Sequence, residues 1–198
     1  QVNHLHFINI NHFRKTKTVS AVPSTVLSTF TKRLLSISLN SKMPVKVGDT
    51  VPSVDLFENT PANKVNISEL CNGKTVILFA VPGAFTPGCS KTHLPGYVNT
   101  AADLKSKGVD EIVCVSVNDA FVMAAWAQDQ KAEGKVRLLA DPNAELTKAF
   151  DLAIDLPPLG GTRSKRYSML IKNGKVEQLN VEPDNTGLSC SLANKIVL

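Results

Sequence analysis

The sequence predicts an α/β fold, a central mixed β-sheet flanked by helices. Three observations carry that reading. Short apolar runs rich in β-branched residues alternate with segments whose apolar residues recur at helical spacing. The last two runs meet at Asn173-Gly174, the dipeptide that favours a tight hairpin and therefore an antiparallel pair at the end of the sheet. No repeat or linker divides residues 43–198, which read as one domain.

Taken in order, "MPVKVGDTVPSVDLF" reads as an extended lead-in and "KVNISEL" as a short strand or turn. "KTVILFAVP" (74–82) is continuously apolar, as a strand buried on both faces must be. The stretch from Cys89 to Lys107 ends in a basic turn and a Gly stop and predicts a helix, kinked or interrupted at Pro95-Gly96. "EIVCVSV" (111–117) is a second buried strand, with Cys114 as a small core residue. In "NDAFVMAAWAQDQKAEG", Asn118 or Asp119 caps a helix that turns Trp126 to the core. "VRLLAD" predicts a third strand and "PNAELTKAFD" a helix with Pro142 near its first turn. "DLPPLGGTRSKRY" reads as a loop, the alternating runs around Asn173-Gly174 as the hairpin, and "SCSLANKIVL" as a closing helix.

The charge of +5 points towards nucleic acid only until it is located. Residues 1–42 hold six basic residues and no acidic one, so residues 43–198 carry 16 basic against 17 acidic. A nucleic-acid footprint needs basic residues clustered on a folded face, and that reading is excluded for the domain. No stretch approaches the roughly 18 apolar residues of a membrane span. The acid-free leader, with Arg and Lys scattered among Ser, Thr and apolar residues, reads as a mitochondrial transit peptide. A start at Met43 would give a cytoplasmic form, and the C-terminal "IVL" differs from the S-K-L peroxisomal address. His4, His6 and His12 lie in the leader without a folded frame and are not taken as metal ligands.

Four cysteines, Cys71, Cys89, Cys114 and Cys190, are too few and too widely spaced for a disulfide scaffold, and no C-x-x-C pair suggests zinc. Cys89 stands where the first buried strand breaks into "VPGAFTPGCSKTHLPGY", and such corners at the carboxyl ends of strands are where α/β proteins bind and react. "GAFTPGCSKT" has the glycine spacing of a phosphate-binding loop, but Cys89 occupies the lysine position and Lys91 arrives two residues late. Thiol chemistry fits better. A sulfur in the first turn of a helix faces unpaired N–H groups and the positive end of the dipole, which favour the thiolate. The Thr86 hydroxyl can donate to that sulfur or to an attacking oxygen, and Pro82 and Pro87 stiffen the loop.

The stretch "VPGAFTPGCSKTHLPGY" resembles the peroxiredoxin signature, and specifically that of the peroxiredoxin-5 subtype. The likeness continues through "VNDAFVMAAW", "LLADPNAELTKAFDL", "KRYSMLI" and "LNVEPDNTGLSCSLA". It implies a thioredoxin-like fold and reduction of hydrogen peroxide, alkyl hydroperoxides and peroxynitrite, with no metal or bound organic cofactor. By the same resemblance, Cys89 matches the peroxidatic cysteine, Thr86 its hydrogen-bonding threonine and Pro82 the shielding proline. Gly88 matches the residue offering a backbone N–H to the peroxide, and Arg166 the arginine paired with the thiolate. Cys190 matches a resolving cysteine whose disulfide forms within one chain and is reduced by thioredoxin. Monomers or non-covalent homodimers are implied. Arg163 and Lys165 are expected on the surface and Cys71 inert; His93, four residues after Cys89, could touch the site but is expected to pack in the helix or face solvent. A redox sensor whose oxidised Cys89 switches an interface, without turnover, fits the same thiol.

Overall fold

The computed structural model describes residues 43–198, so the predicted transit peptide, residues 1–42, lies outside the described residues. β1 (Asp55–Glu58) and β2 (Lys64–Asn66) pair as a hairpin, and α1 (Ile67–Cys71) follows at once. Asn66 starts that helix, its Oδ1 accepting from the N–H groups of Ser68 and Glu69 at 3.1 and 3.3 Å. The "strand or turn" expected at "KVNISEL" is thus a strand joined to a capped helix, a signal already present in the Asn-x-x-Glu spacing.

β3 (Thr75–Val81) runs parallel to β4 (Glu111–Ser116), which runs parallel to β5 (Arg137–Ala140). α2 (Leu94–Ser106) and α3 (Ala120–Asp129) make the crossovers between them. The predicted hairpin is β8 (Tyr167–Lys172) and β9 (Lys175–Val181), turned by Asn173 and Gly174 at φ 48° and 73°. Those left-handed angles cost glycine nothing and asparagine little. The sheet order is β2-β1-β5-β4-β3-β8-β9, with β8 antiparallel to β3, so the sheet is mixed as expected.

The alternation along β3 divides the interior in two. Ile77, Phe79 and Val81 join the core beneath α2 and α3, with Cys89, Tyr97, Met123 and Trp126. Val76, Leu78 and Ala80 join the opposite core, with Ile67, Leu70, Phe150, Tyr167 and Met169. Each such side chain, fully buried, contributes about 1.5–3 kcal/mol. This double burial is why the "KTVILFAVP" run shows no polar alternation.

Two expectations fail. "DLPPLGGTRSKRY" contains a separate hairpin, β6 (Ala153–Leu156) with β7 (Gly161–Ser164), where Pro-Pro and Gly-Gly mark only its turn. "SCSLANKIVL" forms a single 3-10 turn at Ala193–Lys195 instead of a helix. Its backbone groups are taken by side chains: the Glu182 carboxylate accepts from the N–H groups of Ser189, Cys190 and Ser191, while Gln178 binds Val197 N–H and Lys195 C=O. A helix would have to give up those bonds. The predicted helix at "PNAELTKAFD" is α4 (Glu145–Ala149), with Pro142 ahead of it and the buried Asp141 carboxylate accepting from Glu145, Leu146 and Thr147.

Candidate active site

The corner after β3 is held from several sides. Pro82 is buried, and the Asn118 Oδ1 accepts the Ala84 N–H at 3.1 Å. Gly83 is confined: a Cβ there would stand 3.3 Å from the Thr86 methyl. Helical backbone begins at Pro87, whose missing N–H costs nothing in a first turn. The N–H groups of Gly88 and Cys89 belong to that turn and have no intrahelical partner. From Cys89 to His93 the backbone widens into a π-turn, closed by Leu94 N–H to Cys89 C=O. Pro95 follows at the start of α2, so the interruption predicted at Pro95-Gly96 is the change from π to α winding, a feature frequent at functional sites.

Cys89 is fully buried, and Arg166 Nη1 donates to its Sγ at 3.4 Å. Arg166 is itself buried, 4% exposed, and enters from the residue before β8. Its Nε donates to Thr186 C=O at 3.0 Å, and Nη1 lies 3.2 Å from His93 Nδ1. Among the described residues, the salt bridges pair Lys46, Lys64, Lys74, Lys107 and Arg137 with carboxylates, but not Arg166. A buried guanidinium without a carboxylate depends on its hydrogen-bond acceptors, here Thr186 C=O, Cys89 Sγ and His93 Nδ1. Gly88 serves this approach by its lack of a side chain, since a Cβ would meet Arg166 Nη2 at 3.3 Å and Leu188 Cδ1 at 3.4 Å. Its φ of −64° is ordinary, so space and not backbone freedom selects glycine there.

Thr86 differs from expectation. Its hydroxyl donates to Gly83 C=O at 2.9 Å, so its proton is committed to the loop and only its lone pairs remain for a ligand. Arg163, expected on the surface, is partly buried and donates to the carbonyls of Val117 and Leu159, tying β7 to the loop after β4. Lys165 is partly buried as well, its N–H bonded to Leu152 C=O.

His93, four residues after Cys89, ends the π-turn. It is fully buried, and of the two expected positions packing in the helix is the one observed. Its Nε2 lies 3.0 Å from Ser191 C=O, an acceptor only, so Nε2 carries the proton and Nδ1 accepts from Arg166. Burial pushes the imidazole down to about 4, outweighing the Ser191 bond, so it is neutral near pH 7. Tyr97 OH donates to the same Ser191 carbonyl at 2.8 Å, and its ring stacks on Phe79 with centroids 4.0 Å apart. Ser90, next to the sulfur, accepts from the Trp126 indole N–H at 3.0 Å.

Cys190 is half-buried in the loop after β9, and its thiol donates to Val181 C=O at 3.3 Å. Burial, then the Glu182 carboxylate, push that thiol up. All four cysteines are unpaired. Cys71 is fully buried and burial pushes it up to about 12, while Cys114, in β4, is pushed well up by burial and then by Cys89. Thus Cys71 and Cys114 are sealed thiols. Of the residues singled out from sequence, Cys89, Gly88 and Arg166 meet directly, Thr86 and Pro82 frame the corner, and Cys190 stands in the adjoining loop. Tyr97 and Glu182 were missed; His93, four residues after Cys89, was noticed as able to touch the site but expected to pack in the helix or face solvent. Among the described residues, no group of three or more His, Cys, Asp or Glu could hold a metal ion.

The Redoxin family matches residues 46–196 of this chain. Peroxiredoxin-2D of Arabidopsis thaliana is 47% identical over 143 residues, spanning 70% of this chain and 88% of that protein. Peroxiredoxin-2E, chloroplastic, of the same plant is 44% identical over 173 residues, spanning 86% of this chain and 72% of that protein. Among solved structures, reduced Prx3 from Vibrio vulnificus is 49% identical and superposes with a TM-score of 0.72 over 76% of this chain and 95% of that one. Peroxiredoxin 5 from Alvinella pompejana is 43% identical, with a TM-score of 0.67 over 74% and 96% of the two chains.

Proposed function

Because the chain belongs to the peroxiredoxin family and is a peroxidase of thioredoxin-like fold, we propose that Cys89 is its peroxidatic cysteine and that it follows the atypical two-cysteine course of the peroxiredoxin-5 subtype. The observation that carries this is the buried Arg166 guanidinium, without a carboxylate, donating to the buried Cys89 sulfur. The thiolate attacks the terminal oxygen of a hydroperoxide, the O–O bond breaks, and Cys89 becomes a sulfenic acid while the alkoxide takes a proton from solvent. Arg166 and the first-turn N–H groups of Gly88 and Cys89 act on the developing negative oxygen. Thr86 accepts the hydroperoxide's O–H, and buried Pro82 closes the strand side of the pocket. Cys190 then condenses with the sulfenic acid, forming the S–S bond and releasing water, and thioredoxin supplies the two thiols that reduce it. Hydrogen peroxide, alkyl hydroperoxides and peroxynitrite share the O–O bond this attack requires.

The test is consumption of NADPH in the presence of thioredoxin, thioredoxin reductase and hydroperoxide. Continuous turnover, lost in Cys89→Ser, is the expected result. A single equivalent consumed, with no turnover, would leave the chain a redox sensor. For residues 1–42 we infer organellar targeting, from their acid-free basic composition and the chloroplastic relative. A reporter fused to residues 1–42 decides between mitochondrion and plastid, and a diffuse reporter removes the reading.

A further inference from the structure

The Glu182 carboxylate is saturated with bonds from the segment that carries Cys190. Oε1 accepts from the N–H groups of Ser189, Cys190 and Ser191 at 2.8, 3.0 and 2.9 Å and from Ser191 Oγ at 2.7 Å. Oε2 accepts from Ser189 Oγ at 2.6 Å. The residue is 1% exposed, and none of these bonds goes to the peroxide corner itself.

Either side of that clasp the chain is anchored by other means. Upstream, Glu182 N–H binds Arg166 C=O at 3.0 Å and Arg166 N–H binds Asn185 C=O at 2.7 Å. Downstream, the Ser191 carbonyl carries both Tyr97 OH and His93 Nε2, and moving it would strand two buried donors. Between these anchors lie residues 186–190, with Leu188 close against Gly88 in the Cys89 turn. On forming a disulfide, Cys190 gives up the S–H that donates to Val181 C=O, and its Cα must come to lie about 4.4–6.8 Å from that of Cys89. Ser189 and Cys190 can swing only if their N–H groups leave Glu182.

We propose that Glu182 is a positioning residue for the resolving step, whose clasp on residues 189–191 sets how often Cys190 is released towards oxidised Cys89. This rests on the reading of Cys190 as the resolving cysteine. The covalent step itself is unchanged: Cys89–SOH and Cys190–SH give the disulfide and water. Glu182 governs the ground state from which Cys190 departs, and the pivot falls between Cys190 and Ser191.

The test mixes the reduced full chain with one equivalent of hydrogen peroxide, quenches at intervals, alkylates, and quantifies sulfenic acid and linked peptide by mass spectrometry. Glu182→Gln keeps the shape of the side chain but removes its charge. It should form sulfenic acid within about twofold of the wild-type rate and the Cys89–Cys190 peptide at least about tenfold faster, the factor expected from losing charge-assisted bonds. Ser189→Ala, which removes one bond and leaves the carboxylate, should accelerate the second phase by roughly threefold. It carries the test if Glu182→Gln does not fold. A second phase unchanged or slowed in the variant that folds, with the linked peptide still forming, overturns the clasp. No linked Cys89–Cys190 peptide in the wild type overturns the Cys190 reading instead, and the clasp's role with it.

Discussion

Cys89 and Cys190 sit in regions held in opposite ways. Cys89 lies in a helical turn joined by the short loop 82–86 to a seven-residue buried strand, and the side chains behind it are fully buried. Around Cys190 there is no regular structure, and one carboxylate with its five bonds does the holding. The first arrangement suits a group that must wait, dry and aligned, for a small molecule. The second suits a group that must travel, since side-chain bonds can be released together without unravelling an element. The walls around Cys89 come from the sheet and its helical turn, whereas the Cys190 segment is held by hydrogen bonds, most of them to Glu182.

The largest effect is expected at the sulfur. Cys89→Ser should lower peroxide consumption at least about a thousandfold, because an un-ionised hydroxyl is a poor nucleophile at neutral pH, while circular dichroism stays that of the wild type. Cys190→Ser should instead consume one equivalent and stop, giving a sulfenic acid detectable by dimedone. Full turnover in either variant would show that the two regions do not share one cycle.

Arg166 belongs to both regions, through Cys89 Sγ and Thr186 C=O, so its loss should be the next largest effect. Arg166→Met should slow the oxidation step by roughly a hundred- to a thousandfold, the scale of one lost transition-state donor, and should also lower the melting temperature. Stopped-flow peroxide competition checks the rate. An unchanged rate with lowered stability would assign Arg166 to the loop alone.

Acid separates the regions by pH window. His93 is held at about 4, below its usual 6.5, so between those values the unfolded chain binds more protons than the folded one and stability falls as pH falls. The loss amounts to roughly 3 kcal/mol by pH 4, and His93→Gln should flatten urea-unfolding stability across that window. Glu182 is held at about 2, against an ordinary 4.5, by its bonds to Ser189 and Ser191, which outweigh burial. Its contribution is complete above about 4.5 and is lost towards pH 2, so amide protection at Ser189–Ser191 should decline there. The smallest effects belong to the sealed thiols: Cys71→Ala and Cys114→Ala should leave turnover within about twofold, as measured in the thioredoxin-coupled assay.

The Cys89 corner was legible because its determinants are adjacent. An unbroken apolar run, then Pro82, Thr86, Pro87 and Gly88, states in one stretch that a strand ends and a helix begins at a sulfur. The hairpin at Asn173-Gly174 was legible for the same reason. Arg166 came from resemblance, since nothing local distinguishes it from Arg163, which the structure also buries in part. Glu182 was illegible, and His93 legible only by its spacing from Cys89, because their partners are remote: His93 meets Ser191 across 98 positions. Glu182 reads as an ordinary polar residue before Pro183 until the chain folds back upon it. The failed closing helix has the same origin, for its propensity lost to a carboxylate eight residues upstream.

Trp126, the sole tryptophan of the chain, donates its indole N–H to Ser90 beside Cys89 and lies within reach of the exposed Phe85, ring centroids 6.5 Å apart. The molecule thereby carries its own optical meter. Every photon of indole emission originates against the turn that carries Cys89. Any change in that turn that detaches Ser90 from the indole would alter both intensity and wavelength without any dye, reported by a fluorophore the protein already possesses.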